Sequence, residues 1–416
     1  MRLTITEECR YLRTPDNRFW VDFGTGYALW ARYLAAFDEV RVVARARDVP
    51  EIEIPPNAVR VDGDGVTVAP LPHYLGPQEY LRRLPRIDRA VRRIAADAEA
   101  VLLRAPSSIA TLMHRHITRR GLAYAMEVIG DPYAVFAPGV IEHPLRPFLR
   151  VWSTRNLRRQ CRSAIAVSYE TKRSLQERYP TRPGALSIGL SSVNLPPAAF
   201  VREPRPPRLP AGPVTLVSVG SLEQLYKGID TLIEAISLLR SSAPPVRHVH
   251  IGPGRCQPVL EDLATRLGVR DRITFAGLIT DVEALRRHLD AADLFVMPSR
   301  TEGLPRALIE AMARGLPAIG SRVGGIPELL PPEMLVAPDD PDSLANAIRR
   351  TLADPDAMAA ASRRNLAVAR EFAADRLTPR RSEFYRAARD LMANRRPLPQ
   401  SAAPAVESVQ QENRPV

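Results

Sequence analysis

A chain of 416 residues divides, at roughly 100–200 residues per domain, into two domains or three. Its 45% hydrophobic and 25% charged residues are the proportions of a globular protein, which excludes disorder of the whole chain. The net charge of +12 excludes an acidic chain and directs attention to anionic partners.

The first residues, Met1–Glu8, hold no long apolar run, so no secretory leader is expected. Gly24-Thr25-Gly26 opens a helix over Tyr27–Phe37. Strands are expected at Val40–Ala44, Val101–Leu103, Ala123–Val128 and Ala164–Ser168. Helices fit Gln78–Ala98, Ile109–Arg119, Pro147–Gln160 and Tyr169–Tyr179. The longest uncharged stretch, Pro183 to Val201, holds three prolines and three serines, unlike the roughly 20 apolar residues of a spanning helix. Val201–Gly212 carries four prolines without apolar periodicity and reads as a linker.

Beyond it, short apolar runs alternate regularly with amphipathic stretches. The runs are Val214–Gly220, Val249–Gly252, Ile273–Ala276, Leu294–Met297, Ala318–Gly320 and Leu335–Ala337. The stretches include Gly228–Arg240, Val259–Leu267, Val282–Ala291 and Arg306–Arg314. That alternation predicts βα units and a doubly wound parallel sheet. The chain is therefore expected to be α/β, with two Rossmann-like domains facing a cleft, over residues 1–200 and 213–378. A helix over 379–394 and a disordered tail over 395–416, rich in Pro, Gln and Ser, complete it.

Cys9, Cys161 and Cys256 are too few and too far apart for a disulfide framework or a zinc set, which fits a reducing cytoplasm. The seven histidines form no metal pattern, and no metal is expected. No Gly-x-Gly-x-x-Gly opens a βα unit, which argues against a dinucleotide enzyme.

Only two of the 58 basic residues are lysines, Lys172 and Lys227. Residues 81–180 hold 18 arginines and Lys172 against eight acidic residues. Such a concentration suits an anionic membrane, an acidic acceptor or nucleic acid, or else is a solvated surface. No nucleic-acid recognition module accompanies it. On Pro147–Arg162, Arg155, Arg158, Arg159 and Arg162 are spaced to share a helix face, one turn beyond Phe148 and Trp152. Either the aromatics enter a membrane interface or they pack into the domain.

The strongest chemical signal runs from Glu302 to Ala313, after the strand Leu294–Met297. Gly303 breaks the backbone, and Pro305 suits the first position of a helix. The free N–H groups of that helix make a site for an anion. Glu302 precedes the helix, and Glu310, just over a turn inside, can accept hydrogen bonds from a sugar diol. Both glutamates also simply favour a helix N-terminus. A second signal is Ser218–Gly228, which leaves a strand and enters a helix. Lys227 there is a compact cation able to meet a diphosphate, or else a surface lysine in a turn.

Together these segments resemble the retaining family-4 glycosyltransferases of GT-B fold. The resemblance covers about Val214–Asp354 and includes Asp293–Ser299 and Val323-Gly324-Gly325-Ile326-Pro327-Glu328. It implies transfer of a hexose from a nucleotide-diphosphate sugar, UDP- or GDP-linked, with retention and with neither metal nor cofactor. The acceptor would be a hydroxyl of a lipid-linked, polysaccharide or secondary-metabolite molecule, in the cytoplasm or at its membrane face. Lys227 would hold the diphosphate and Glu310 the ribose. Glu302, with Gly303, Leu304, Arg306 and Ala307, would face the donor sugar. Gly24 and Gly26 would lie under the diphosphate, and the last helix would return to the first domain.

Three features depart from the family pattern, one being the N-terminal glycine loop, which is reduced to Gly24-Thr25-Gly26. Ser221 stands where an arginine is common, and Ile129-Gly130-Asp131 stands where a histidine is expected. Asp131 thus becomes the first domain's candidate catalytic residue. A catalytically silent GT-B-like nucleotide-sugar-binding or partner protein is the alternative. A phosphorylase would need a lysine for its pyridoxal group, and only Lys172 and Lys227 exist.

Overall fold

The computed structural model describes residues 1–22, 26–138, 140, 143–207, 212–241 and 244–394. Gly24 and the expected tail over 395–416 lie outside the described residues.

The first nine strands are β1 (Arg2–Arg13), β2 (Phe19–Val21), β3 (Glu39–Asp48), β4 (Val59–Arg60), β5 (Val66–Pro72), β6 (Ala100–Ala105), β7 (Ala125–Val128), β8 (Ala166–Tyr169) and β9 (Leu186–Gly189). They form one sheet in which β5-β3-β1-β6-β7-β8-β9 run parallel, while β2 joins β1 antiparallel and carries β4. The helices between them are α1 (Tyr27–Ala31), α2 (Gly76–Ala96), α3 (Ser108–Arg119), α4 (Pro132–Val135), α5 (Arg146–Ser163) and α6 (Ser174–Arg178).

Two expectations are corrected here. The predicted helix over Tyr169–Tyr179 is shorter, because Tyr169 ends β8 and pairs with Gly189; the helix starts only at Ser174. The long strand β1 was not foreseen. Its Glu7-Glu8-Cys9-Arg10 segment interrupts the apolar alternation, and partners distant in sequence satisfy those charges.

The second sheet holds β10 (Val214–Val219), β11 (Val246–Ile251), β12 (Ile273–Phe275), β13 (Leu294–Met297), β14 (Ala318–Ser321) and β15 (Leu335–Val336). All are parallel in the order β12-β11-β10-β13-β14-β15, that of a doubly wound nucleotide-binding sheet. Around it pack α7 (Ile229–Leu238), α8 (Gln257–Arg266), α9 (Val282–Ala291), α10 (Arg306–Ala313), α11 (Pro341–Leu352) and α12 (Pro355–Arg370). Leu294, Phe295 and Val296 of the central β13 are wholly buried. Burial of each contributes roughly 1.5–3 kcal/mol.

The last helix, α13 (Ala374–Ala393), crosses back to the first domain. It starts before the expected Pro379, which sits inside it. The Tyr385 hydroxyl donates to Glu127 at 2.8 Å, and Arg381 Nη2 donates to the Val193 carbonyl at 2.8 Å. The residues read as a linker lie against the second domain: the Val201 N–H meets the Ala313 carbonyl at 3.0 Å, and the Arg205 N–H meets Ser362 at 2.8 Å.

Candidate functional site

In an open doubly wound sheet, the crevice forms where neighbouring strands send their chains to opposite sides. In the second sheet that point lies between β10 and β13. The loops leaving these two strands carry Lys227 and Glu302, separated by 75 residues in sequence. The strand order brings them together, with Lys227 Nζ 2.7 Å from Glu302 Oε1. Ser299 Oγ donates to the same oxygen at 2.7 Å. Both charged side chains are largely shielded, at 16% and 9% exposure, so water screens the pair only weakly.

Backbone geometry allows this approach. Gly228 has φ 67°, and a Cβ there would lie 2.0 Å from the Pro298 carbonyl oxygen. Gly324 has φ 53°, and its Cβ would lie 1.9 Å from the Glu302 carbonyl oxygen. The Gly325 N–H donates to the Gly303 carbonyl at 2.8 Å, so the 323–325 turn supports the Glu302–Pro305 turn from below. Pro305 is the cap residue rather than the first residue of α10, which begins at Arg306; the rigid ring still sets the chain direction into the helix.

Glu310 lies one turn into α10, and Arg306 Nε donates to it at 2.8 Å. Glu310 is 23% exposed and Arg306 70% exposed. The exposed Arg306 can swing away and release the carboxylate to a ligand. Ser221 accepts from the Glu223 N–H at 3.2 Å and closes a local turn.

Sequence reasoning missed the support beneath this site. Ser218 on β10 bridges His248 Nε2 and His250 Nδ1 of β11, each at 2.8 Å, and His250 Nε2 meets the Gly220 carbonyl at 2.9 Å. Burial pushes His248 down to about 3 and His250 down to about 4, so both rings are neutral near pH 7. The Gly220 carbonyl can only accept, so His250 carries its proton on Nε2. Its Nδ1 then accepts from the Ser218 hydroxyl, and His248 Nε2–H donates to Ser218. The His-x-His spacing on one strand face was the available signal.

The first domain places its candidates differently. Asp131 is buried and caps α4, accepting from the Tyr133 N–H at 3.0 Å. It also pairs with Arg178 and accepts from the Tyr179 hydroxyl at 2.5 Å. Its recorded partners all belong to the first domain, and none is Lys227 or Glu302. Gly26 precedes α1, where a Cβ would meet the Arg60 carbonyl oxygen at 2.3 Å. The two domains touch through Glu328, whose carboxylate accepts from the backbone N–H groups of Lys172, Arg173 and Ser174 at 2.6, 3.2 and 2.8 Å.

Residues 213–354 match the family described as Glycosyl transferases group 1. Protein CapJ of Staphylococcus aureus is 27% identical over 357 residues, which is 85% of this chain and 86% of that protein. The amylovoran biosynthesis glycosyltransferase AmsK of Erwinia amylovora is 36% identical over 124 residues, which is 28% of this chain and only 30% of that relative's length. Among solved structures, Anabaena HepE in complex with UDP-glucose superposes with a TM-score of 0.62 at 18% identity, covering 92% of this chain and 98% of HepE.

Proposed function

We propose that this chain, a glycosyltransferase of GT-B fold whose second domain is a group 1 glycosyl transferase domain, moves a hexose from a UDP- or GDP-sugar to an acceptor hydroxyl with retention of configuration. The acceptor is a lipid-linked, polysaccharide or secondary-metabolite hydroxyl. One observation carries this reading: Lys227 and Glu302 meet at the switch point between β10 and β13, beside the start of α10. HepE, which shares the fold, is described in complex with UDP-glucose.

Each residue has a task in the reaction. As the glycosidic bond to the diphosphate breaks, negative charge grows on the leaving oxygen. Lys227 has three N–H donors, and one serves Glu302. Another can turn to the diphosphate, and the N-terminal N–H groups of α10 add a second positive end. Glu302 and the backbone of Gly303, Leu304, Arg306 and Ala307 face the sugar. Glu310 takes the ribose diol once Arg306 leaves it. The acceptor proton passes to a phosphate oxygen on the same face, so no separate carboxylate base and no metal is needed.

The enzyme works at an anionic membrane surface. Phe148 and Trp152 on α5 are 63% and 51% exposed instead of packed inside, and Leu145 and Val151 are exposed beside them. Arg155, Arg158, Arg159 and Arg162 continue the same helix, all exposed. Apolar side chains at an interface flanked by cations suit peripheral binding. Among the described residues no helix is long and apolar enough to cross a membrane.

A screen of nucleotide sugars for thermal stabilisation and product formation tests the reaction. The expected result is stabilisation by one UDP- or GDP-sugar and a product of unchanged anomeric configuration, insensitive to EDTA. An inverted product or loss of activity in EDTA contradicts it. Flotation tests the location: binding to anionic but not neutral vesicles, lost in Phe148→Ser/Trp152→Ser, is expected.

A further inference from the structure

A second cluster of charge lies away from both the donor loops and α5. A trough of about 770 Å³ runs between α2 and the edge strand β5, lined by Arg13, Arg47, Arg83, Arg86, Arg89 and Arg93. Asp48 is its one acidic residue. Arg13 is neutralised by Asp48 at 2.6 Å. Arg83 donates to the His73 carbonyl. Arg86, Arg89 and Arg93 stand exposed, with no acidic partner among the described residues. Burial first, and then the cations Arg47, Arg45 and Arg83, hold the His73 imidazole below its usual value.

The array has a direction. Arg83, Arg86, Arg89 and Arg93 follow one another at intervals of three, three and four, so they stay on one face of α2. At 1.5 Å per residue the row is about 15 Å long. One end reaches Arg47, Asp48 and His73 at the carboxyl edge of the sheet. There Arg47 and His73 also line a second cavity of about 490 Å³, which holds Glu8, Arg10, Tyr11 and Asp22.

We propose that this trough binds a linear glycan carrying carboxylates or phosphates, and that the glycan is the acceptor chain whose end enters the neighbouring cavity. The inference rests on the glycosyltransferase reading and names its acceptor class. A row of unpaired guanidinium groups matches anions repeated along a chain and pairs with them in bidentate fashion. Two other extended ligands fit less well. Pro70 and Pro72 remove two N–H donors from the edge strand β5, so a peptide cannot add as a further strand. The trough is lined by no Phe, Tyr or Trp on which successive nucleic-acid bases could stack. A flat bilayer meets ridges and not a concave row, and the exposed aromatic side chains lie on α5 instead.

Fluorescence anisotropy with the full chain tests the proposal. The probes are labelled oligogalacturonate, a phosphodiester-linked mannose oligomer and a neutral dextran oligomer of the same length. The expected result is salt-sensitive binding of at least one acidic probe and none of dextran. Arg86→Gln/Arg89→Gln/Arg93→Gln should weaken that binding on the order of tenfold. Thermal stabilisation by the donor sugar should stay unchanged in the same variant. Equal binding of dextran, or unchanged acidic-probe affinity in the triple variant, overturns the proposal. So does tighter competition by anionic vesicles or a single-stranded oligonucleotide than by the acidic glycans. Loss of donor binding in the wild-type chain would instead strike at the glycosyltransferase reading, because the acidic-glycan arm needs no donor.

Discussion

Both sheets have a switch point, and the chain fills the two crevices in opposite ways. In the second domain, between β10 and β13, it leaves short loops and one partly accessible pair, Lys227–Glu302. In the first domain, between β1 and β6, it packs the crevice with its own charges. Arg104 on β6 pairs with Glu7 on β1 and lies 3.2 Å from Glu127 on β7. Arg32 approaches the same Glu127 at 3.5 Å, and the hydroxyls of Tyr33 and Tyr385 donate to it at 2.9 and 2.8 Å. The Trp30 ring covers Arg104 at 5.4 Å. Because Tyr385 comes from α13, this network attaches the end of the chain to the first domain. Similar crevices are thus filled differently: one holds a single charged pair between its loops, the other uses a charge network to close the structure.

The largest expected effect comes from breaking the closed crevice. Glu127→Ala leaves Arg32 without its acidic partner and Arg104 with Glu7 alone in a buried site, which should cost about 3–5 kcal/mol in denaturant unfolding. Burial alone would raise the Glu127 carboxyl, but Arg32 and Arg104, with the two tyrosine hydroxyls, hold it below the usual range. A carboxyl lowered in the folded state stabilises fully above its unfolded value, near 4.5, and loses that contribution as pH falls through the folded value. The variant should therefore lose part of the wild type's acid sensitivity below about pH 4.5. Equal acid profiles for the two proteins would show that the network does not govern acid stability.

Changes to the open crevice should show mainly in the rate. Lys227→Ala should lower the transfer rate by about 10²–10³; it also leaves the shielded Glu302 carboxylate with Ser299 as its remaining side-chain partner, so a moderate fall in melting temperature should accompany it. Gly220→Ala is a subtler probe, because its new Cβ would lie 2.9 Å from Lys227 Cε. A flexible side chain can move aside, so the fold should survive while the ammonium is displaced and the rate falls. If Gly220→Ala loses stability but keeps its rate, the position of Lys227 is not what matters.

Glu328 joins the two regions. Its carboxylate caps three backbone N–H groups of the first domain, and its own turn lies against the Glu302–Pro305 turn through Gly325 and Gly303. Glu328→Ala should loosen the domain contact by about 1–3 kcal/mol. Small-angle scattering of the free variant should show a larger radius of gyration, and saturating donor should reverse the change. Unchanged dimensions would mean that the remaining contacts, such as those of α13 and of Leu195 with Phe372, suffice to hold the domains together.

The same contrast explains what could be read from sequence. In the second domain, Leu294–Met297 and Val282–Ala291 were expected with the bounds observed, since apolar runs and amphipathic periods stand alone there. Lys227 and Glu302 were each visible beside breaks in such patterns. Their pairing was not visible, because it depends on β10 lying next to β13. In the first domain, β1 contradicts the usual alternation. Glu7 pairs with Arg104 and Glu8 accepts from Ser108, each about a hundred residues away. The reach of Glu328 to the start of α6 leaves no local mark for the same reason. Charge satisfied at long range is what a linear reading cannot recover.

The smallest expected effect tests the neutral histidines beneath the open crevice. Ser218→Ala removes the hydroxyl that links His248 to His250 and leaves both ring nitrogens without that partner. A buried hydrogen bond of this kind is worth about 1 kcal/mol, with a further cost for stranded donors, so a loss of about 1–2 kcal/mol is expected. The pH dependence gives a second readout. Both imidazoles have folded values pushed down, to about 3 and about 4, so below the unfolded value near 6.5 the unfolded chain binds more protons. Stability from this pair is fully present above about pH 6.5 and declines as the solution is acidified towards pH 4. His250→Gln should flatten that decline while keeping a donor for the Gly220 carbonyl. If the slope between pH 6.5 and pH 4 is the same in His250→Gln as in the wild type, the open crevice does not rest on a neutral histidine pair.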